Sequence, residues 1–292
     1  MSHFYFGQNP TDLTRVLDYF QQQITAYPEA YWFALVDTAF DHEQRVNLDY
    51  LGGISCYRSL DIEPLGDVAP RLFALDGHPS SDLDILKRLL RHCSERPMLS
   101  VLAADATMSE LLDQWQPHHW VYTADGQKLL LRFADTRVLP MLPSVLNPDQ
   151  WAALTSSVRS WFYIDRTGQP SICALTDADT TPAFQIELDA RQLGTLVDRS
   201  EADTLLDYLV QHMFDVIPAD ASRATVYELL ASTCTLAQTN GIDSWTDKVA
   251  LATAACLTGS AFFSNPRLTE VLAEGDWPPN GLGERLVAES IV

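Results

Sequence analysis

Asp37, Asp41 and His42 are the residues whose types and spacing come closest to a reactive site. Two carboxylates and an imidazole at the end of an apolar run supply the ligands a divalent metal takes, and a metal held there would support a metal-dependent hydrolase. No later cluster completes the set, and the spacing follows no metal-binding motif. Capping or surface roles are the simpler reading. His118 and His119 are adjacent, so on a strand they point to opposite faces and do not share an ion. The chain contains no G-x-S-x-G, no H-E-x-x-H and no phosphate-binding loop. Gly52-Gly53 marks a turn but lacks the downstream lysine such a loop uses. The five cysteines, Cys56, Cys93, Cys173, Cys234 and Cys256, form no C-x-x-C pair. They read as small apolar residues in a reducing compartment, not as a disulfide framework or a zinc site. No cofactor and no metal is expected.

The elements that must position these residues fall in two groups. Leu13, Val16, Leu17, Phe20 and Ile24 share one helical face after Pro10-Thr11. Tyr31–Asp37 is a short aromatic and apolar run that predicts a buried strand, and Ile54–Leu60, Arg71–Leu75 and Met98–Ala103 predict others. Ser81 precedes a helical pattern through Leu83, Leu86, Leu89 and Leu90. Thr107 and Glu110 form a capping box for a helix to Trp115. Asp125-Gly126 joins two strand-like runs into a hairpin, and Asn147-Pro148 opens a helix. Trp161–Asp165 and Ser171–Leu175 make a second hairpin, and Phe184–Leu188 reads as a last strand. Trp115, Trp120, Trp151 and Trp161 fall in this part, mostly as core, with one or two as candidate exposed anchors.

Beyond about Asp189 strand signals stop. Leu205–Met213 and Val226–Ala237 are amphipathic, and Asn240-Gly241 ends the second. Ser244 and Asp247 begin Val249–Phe263, a helix apolar nearly all round and so suited to the centre of a bundle. Asn265-Pro266 starts another helix, and Leu282–Ile291 a short last one. The reading is therefore α+β: residues 1–185 form a lobe with a mostly antiparallel or mixed sheet flanked by helices, and 186–292 form an all-α lobe.

With 292 residues, 47% of them hydrophobic and 20% charged, the chain has enough apolar side chains for two packed cores and is not of disordered type. Its net charge is −20, and the residues from Gln185 onward hold 16 acidic and 6 basic side chains, so half of the excess lies in each part. Such acidity repels phosphate backbones and argues against nucleic acid as a partner. Apolar runs such as Met98–Ala104 are far shorter than the about 20 residues of a membrane helix. The opening residues show no basic stretch followed by an apolar one, so a cytosolic, membrane-free protein is expected.

Three ordered segments carry a resemblance. They are Tyr31-Trp-Phe-Ala-Leu-Val-Asp37; Tyr57-Arg58-Ser59-Leu60 followed by Val68-Ala69-Pro70-Arg71-Leu72; and Leu131-Arg132-Phe133-Ala134-Asp135-Thr136-Arg137-Val138-Leu139. Together they resemble the adaptor, or effector-chaperone, family of bacterial type VI secretion systems, over about Tyr31 to Ser160 and more loosely beyond. The third segment departs from that family's usual Arg-Phe-Tyr-Asp-Pro-Arg, because Ala134 replaces the tyrosine and Thr136 the proline. Asp135 and Arg137 remain, and Asp135 keeps the chemistry of a cap.

The resemblance implies a non-enzymatic protein that binds a toxic effector in the cytosol of a Gram-negative bacterium. It would load that effector onto the valine-glycine repeat spike protein. On this reading Asp37, Tyr57, Arg58, Arg132, Asp135 and Arg137 are the site residues. Their charges either pair to shape the lobe or line a partner groove. If Arg58 is buried and paired, Arg58→Ala destabilises the fold; if it lies in a groove, the variant melts normally and loses its partner. The all-α lobe, with its apolar central helix, is expected to contribute to effector choice through a groove.

Overall fold

The computed structural model describes residues 5–41, 48–59, 61–75, 79–176 and 180–292. In chain order its elements are α1 (Leu13–Ala26), β1 (Tyr31–Val36), β2 (Ile54–Ser55), β3 (Arg71–Leu75), α2 (Pro79–Cys93), β4 (Leu99–Ala104) and α3 (Met108–Trp115). Then come β5 (Trp120–Thr123), β6 (Lys128–Leu130), α4 (Leu142–Val145), α5 (Pro148–Thr155), β7 (Val158–Ile164), β8 (Pro170–Cys173) and β9 (Glu187–Leu188). The helices α6 (Ala190–His212), α7 (Arg223–Thr239), α8 (Trp245–Thr258), α9 (Pro266–Glu274) and α10 (Leu282–Ala288) follow. The fold is α+β, with every described strand before Asp189 and the helices α6 to α10 clustered after it. Among the described residues no helix is long and apolar enough to cross a membrane.

Six strands form one antiparallel sheet in the order β2-β3-β1-β4-β7-β8. The central β1 reads as an unbroken apolar run and β4 as one apart from the buried Ser100, because both faces of the sheet are covered. Phe33 and Leu35 of β1 point to one face, where Leu102, Trp161, Trp115, Phe133 and Trp151 complete the core. Trp32 points to the other, stacked 6.4 Å from Phe162, which in turn meets Phe20 of α1 at 5.9 Å. The helix α2 packs beside α1 and against β3 and β4. A second sheet, β6-β5-β9, has β5 antiparallel to β6 and parallel to β9. Its hairpin turns at Asp125-Gly126, where Gly126 takes a φ of +81° that a side chain would disfavour.

The local signals in the sequence correspond to real caps. Thr107 and Glu110 close a reciprocal capping box at α3, and Asn147 and Gln150 close another at α5. Several expectations differ in extent: the helix expected over Leu205–Met213 begins already at Ala190, and the last helix ends at Ala288. The strand expected over Ile54–Leu60 pairs only at Ile54–Ser55, with Leu60 outside the described residues. The strand expected over Phe184–Leu188 pairs only at Glu187–Leu188, and Phe184 is exposed. The helix expected over Val249–Phe263 stops at Thr258, since Gly259 adopts a φ of +69° and the chain continues as a 3₁₀ turn, Gly259–Ser264.

The chain divides into two compact units, one of Pro10–Val197 and one that joins the residues up to Asn9 with Asp198–Val292; the division falls within α6. In the second unit α8 lies between two apolar clusters. Leu251, Ala254 and Ala255 face Phe262, Leu268 and Leu282, whereas Ala252 and Cys256 face Leu205, Leu209 and Leu230. The N-terminal segment is part of this unit. Asn9 accepts a hydrogen bond from the Ala224 N–H of α7 at 3.0 Å, and Tyr5 packs on the apolar cluster under the Arg223 guanidinium.

Candidate functional site

Asp37 follows the last residue of β1. Its N–H donates to the Met98 carbonyl at 2.8 Å, fixing it beside the start of β4. One carboxylate oxygen accepts the Ala39 N–H at 3.1 Å and so caps the 3₁₀ turn Thr38–Phe40. The other accepts the Arg132 Nη2 at 2.8 Å. Asp135 sits in the turn after β6, where the Thr136 N–H donates to the Pro97 carbonyl at 3.1 Å and pins the turn beside β4. Its Oδ1 accepts the Arg137 backbone N–H at 2.9 Å. Its carboxylate also takes Arg137 Nε and Nη2, the latter at 2.8 Å, and lies 3.6 Å from Arg132 Nη2.

Asp37, Arg132, Asp135 and Arg137 are therefore a chain of alternating charge with no net charge. Both carboxylates are 1% exposed, while the guanidinium side chains keep 34% and 22% of their surface. The arginine stems snorkel, so the acids lie inside and the cations at the rim. Both guanidinium carbons stand over the Phe40 ring, Arg132 at 5.0 Å and Arg137 at 4.7 Å from its centroid. Burial pushes the Asp37 carboxyl above its ordinary range; Arg132 opposes this and Asp135 adds to it.

Arg58 does not join this cluster. It pairs with Asp113 of α3 at 3.2 Å, and the two side chains are 41% and 63% exposed. Water screens such a pair, so Arg58→Ala should change the unfolding free energy by less than about 1 kcal/mol in urea titration. A loss of several kcal/mol would contradict this placement.

Tyr57 is buried behind the cluster, edge-on to His119 with ring centroids 4.9 Å apart. His119 Nε2 donates to the Cys56 carbonyl at 2.9 Å, an assignment that follows because a carbonyl only accepts. Its ring also stacks on Phe133 at 5.6 Å. Burial lowers the His119 pKa to about 4 and lowers that of His118 too. Burial, with Asp37 nearby, holds the Tyr57 hydroxyl well above its ordinary value. These groups are neutral packing units at neutral pH.

Asp41 belongs to a second buried set. Arg96 Nη1 and His92 Nε2 each lie 3.2 Å from one of its oxygens. Both partners are buried at the end of α2 and just beyond it. His42 lies outside the described residues. Among those described, no group of three His, Cys, Asp or Glu side chains is placed to hold a metal.

Sequence reasoning did not find Phe40 or the Asp41–Arg96–His92 set. The signals were an aromatic three residues after a strand-terminal aspartate, and an arginine directly before Pro97 at the mouth of β4. Trp115, Trp151 and Trp161 stack in series, 5.7 and 6.2 Å apart, each with its indole N–H bonded inside the protein. Trp120 is half-buried under the Lys128 ammonium. Of the two positions that depart from the pattern quoted above, Ala134 is wholly buried in the core and Thr136 is nearly so.

Residues 32–153 match the family model of DUF4123, a domain of unknown function. No curated protein and no solved structure matches the chain.

Proposed function

We propose that this protein is a non-enzymatic adaptor of a type VI secretion system. In the cytosol it binds a toxic effector and brings it to the valine-glycine repeat spike protein. The observation that carries this reading is a coincidence of place. The three ordered segments that resemble the secretion adaptors overlap the stretch, 32–153, that matches a single domain model. The geometry is compatible with that role. Asp37, Arg132, Asp135 and Arg137 satisfy one another, so their first task is to hold the end of β1, the start of β4 and the turn after β6 in one arrangement. The side chains of Arg132 and Arg137 keep 34% and 22% of their surface exposed at the rim of this arrangement.

What weighs against a metal-dependent hydrolase at Asp37, Asp41 and His42 is that both carboxylates are already engaged by arginines. Rebuilding them as metal ligands would break the Arg132–Asp37 and Arg96–Asp41 pairs.

Co-expression tests the reading. The tagged protein should co-purify with the spike and toxin encoded by genes neighbouring its own, and the toxin should fail to reach the spike in its absence. A folded protein that retains neither product would sink the proposal. A stoichiometric metal in the purified protein, with a thermal shift on adding Zn²⁺ or Mn²⁺, would favour the hydrolase instead.

A further inference from the structure

We propose that the face of the helical unit carrying Tyr208, His212 and Trp245 docks an arginine- and lysine-bearing segment of a protein partner. Tyr208 stands edge-on to Trp245, with centroids 5.6 Å apart and planes at 89°, and lies 4.7 Å from His212. The three rings form a row from the last turns of α6 to the first turn of α8. Trp245 is 38% exposed, and its indole N–H bonds to nothing among the described residues. The core tryptophans Trp115, Trp151 and Trp161 differ, because each donates its N–H to an internal acceptor. Helix initiation does not explain Trp245 either, since Ser244 caps α8. An exposed indole beside a tyrosine is the kind of group that anchors protein interfaces.

Charge selects the occupant. Asp207 lies one residue round α6 from Tyr208, where it accepts the Gln211 side-chain amide at 2.8 Å, and Asp243 precedes Trp245 by two positions; both flank the ring face and are exposed. Lys248, one turn into α8, is already bound to Glu201. Across residues 198–292 there are 14 acidic and 5 basic side chains, a net of −9. Of those basic groups Lys248, Arg267 and Arg285 are all held by carboxylates. A polyanion is repelled by such a surface, and a cationic segment is drawn to it. Arginine suits both features, because its flat guanidinium stacks on an indole and pairs with a carboxylate. The surface follows from these residues alone. Only the identification of the segment as part of the effector or the spike rests on the adaptor reading.

The test uses the full chain and an oligo-arginine peptide, followed through the tryptophan indole N–H resonances. The Trp245 signal is assigned by its absence from Trp245→Phe. Oligo-arginine should shift that signal at low salt, and oligo-glutamate should not. Affinity, read for every variant by calorimetry with the same peptide, should fall about fivefold or more in Trp245→Ala, and similarly in the Asp207→Asn/Asp243→Asn double variant. The second variant leaves the aromatic packing intact and guards against a folding defect in the first. Equal oligo-arginine affinity in wild type and both variants would overturn the proposal, since the peptide would then be answering only to overall charge. That result would leave co-purification with effector and spike unaffected, so the two readings fail separately.

Discussion

Asp135→Ala should cost on the order of 3 kcal/mol of unfolding free energy at neutral pH, measured by urea titration. Three losses combine. The Arg137 backbone N–H loses its acceptor, Arg137 loses its side-chain bonds to that carboxylate, and Arg132 keeps only the Asp37 carboxylate of the pair. The arginine rims are partly exposed and can rehydrate, which keeps the expected loss at the lower end of the range for breaking a buried pair. Asp135→Asn retains an oxygen for the backbone N–H but no charge, so it should recover roughly half of the loss. A double-mutant cycle with Arg137→Ala separates the pair from the cap. A loss below about 1 kcal/mol for Asp135→Ala would show that the cluster decorates the turn without holding it.

Acid should weaken the fold well before most carboxylates titrate. His119 is neutral when folded because burial lowers its pKa to about 4, whereas in the unfolded chain it titrates near 6.5. For a base with a depressed folded value, the stabilisation is complete above the unfolded pKa and is lost as pH falls through the folded one. The window is therefore pH 6.5 to about 4. The size is about 3 kcal/mol, from the separation of the two values. His118 shifts in the same direction, also by burial, and adds to the slope. Asp37 works in the opposite sense. Its raised folded pKa gives a contribution that is full below the unfolded value and lost as pH rises through the folded one. The expected result is a urea midpoint that falls steadily from pH 7 to pH 4.5. His119→Gln, which preserves a donor toward the Cys56 carbonyl, should flatten that slope even if it lowers stability overall. A variant as steep as the wild type would place the acid sensitivity elsewhere.

What could be read in the sequence was local. The Thr107/Glu110 box and the Asn147 cap lie within one helical turn, so residue type and spacing suffice to find them, whereas the return bond from Gln150 to Asn147 was not read. Strand extent was harder to read. The apolar residues of Ile54–Leu60 allowed a strand, but pairing with β3 is a tertiary decision and spans only Ile54–Ser55. The charged residues show the same limit. Arg58 and Arg132 look alike in sequence, each a cation next to hydrophobic residues. Only the fold decides that Arg132 meets a buried aspartate while Arg58 meets an exposed one. The end of α8 lay between these cases. Gly259 was visible, but the apolar residues on both sides made one helix the natural reading.

The bond between Asn9 and Ala224 joins residues 215 positions apart in the chain. The sheet-bearing unit is thus an insertion within a helical frame, and this sets an order of events during synthesis. Residues 5–9 leave the ribosome before the helices they pack with, which emerge only after all of Pro10–Val197 has been made. The inserted unit can complete its own core while those first residues wait. The frame closes last, and it closes around segments from opposite sides of the insertion. Substitutions at Tyr5 or Asn9 should therefore be felt by α7 and α8, not by the sheet that follows them in sequence.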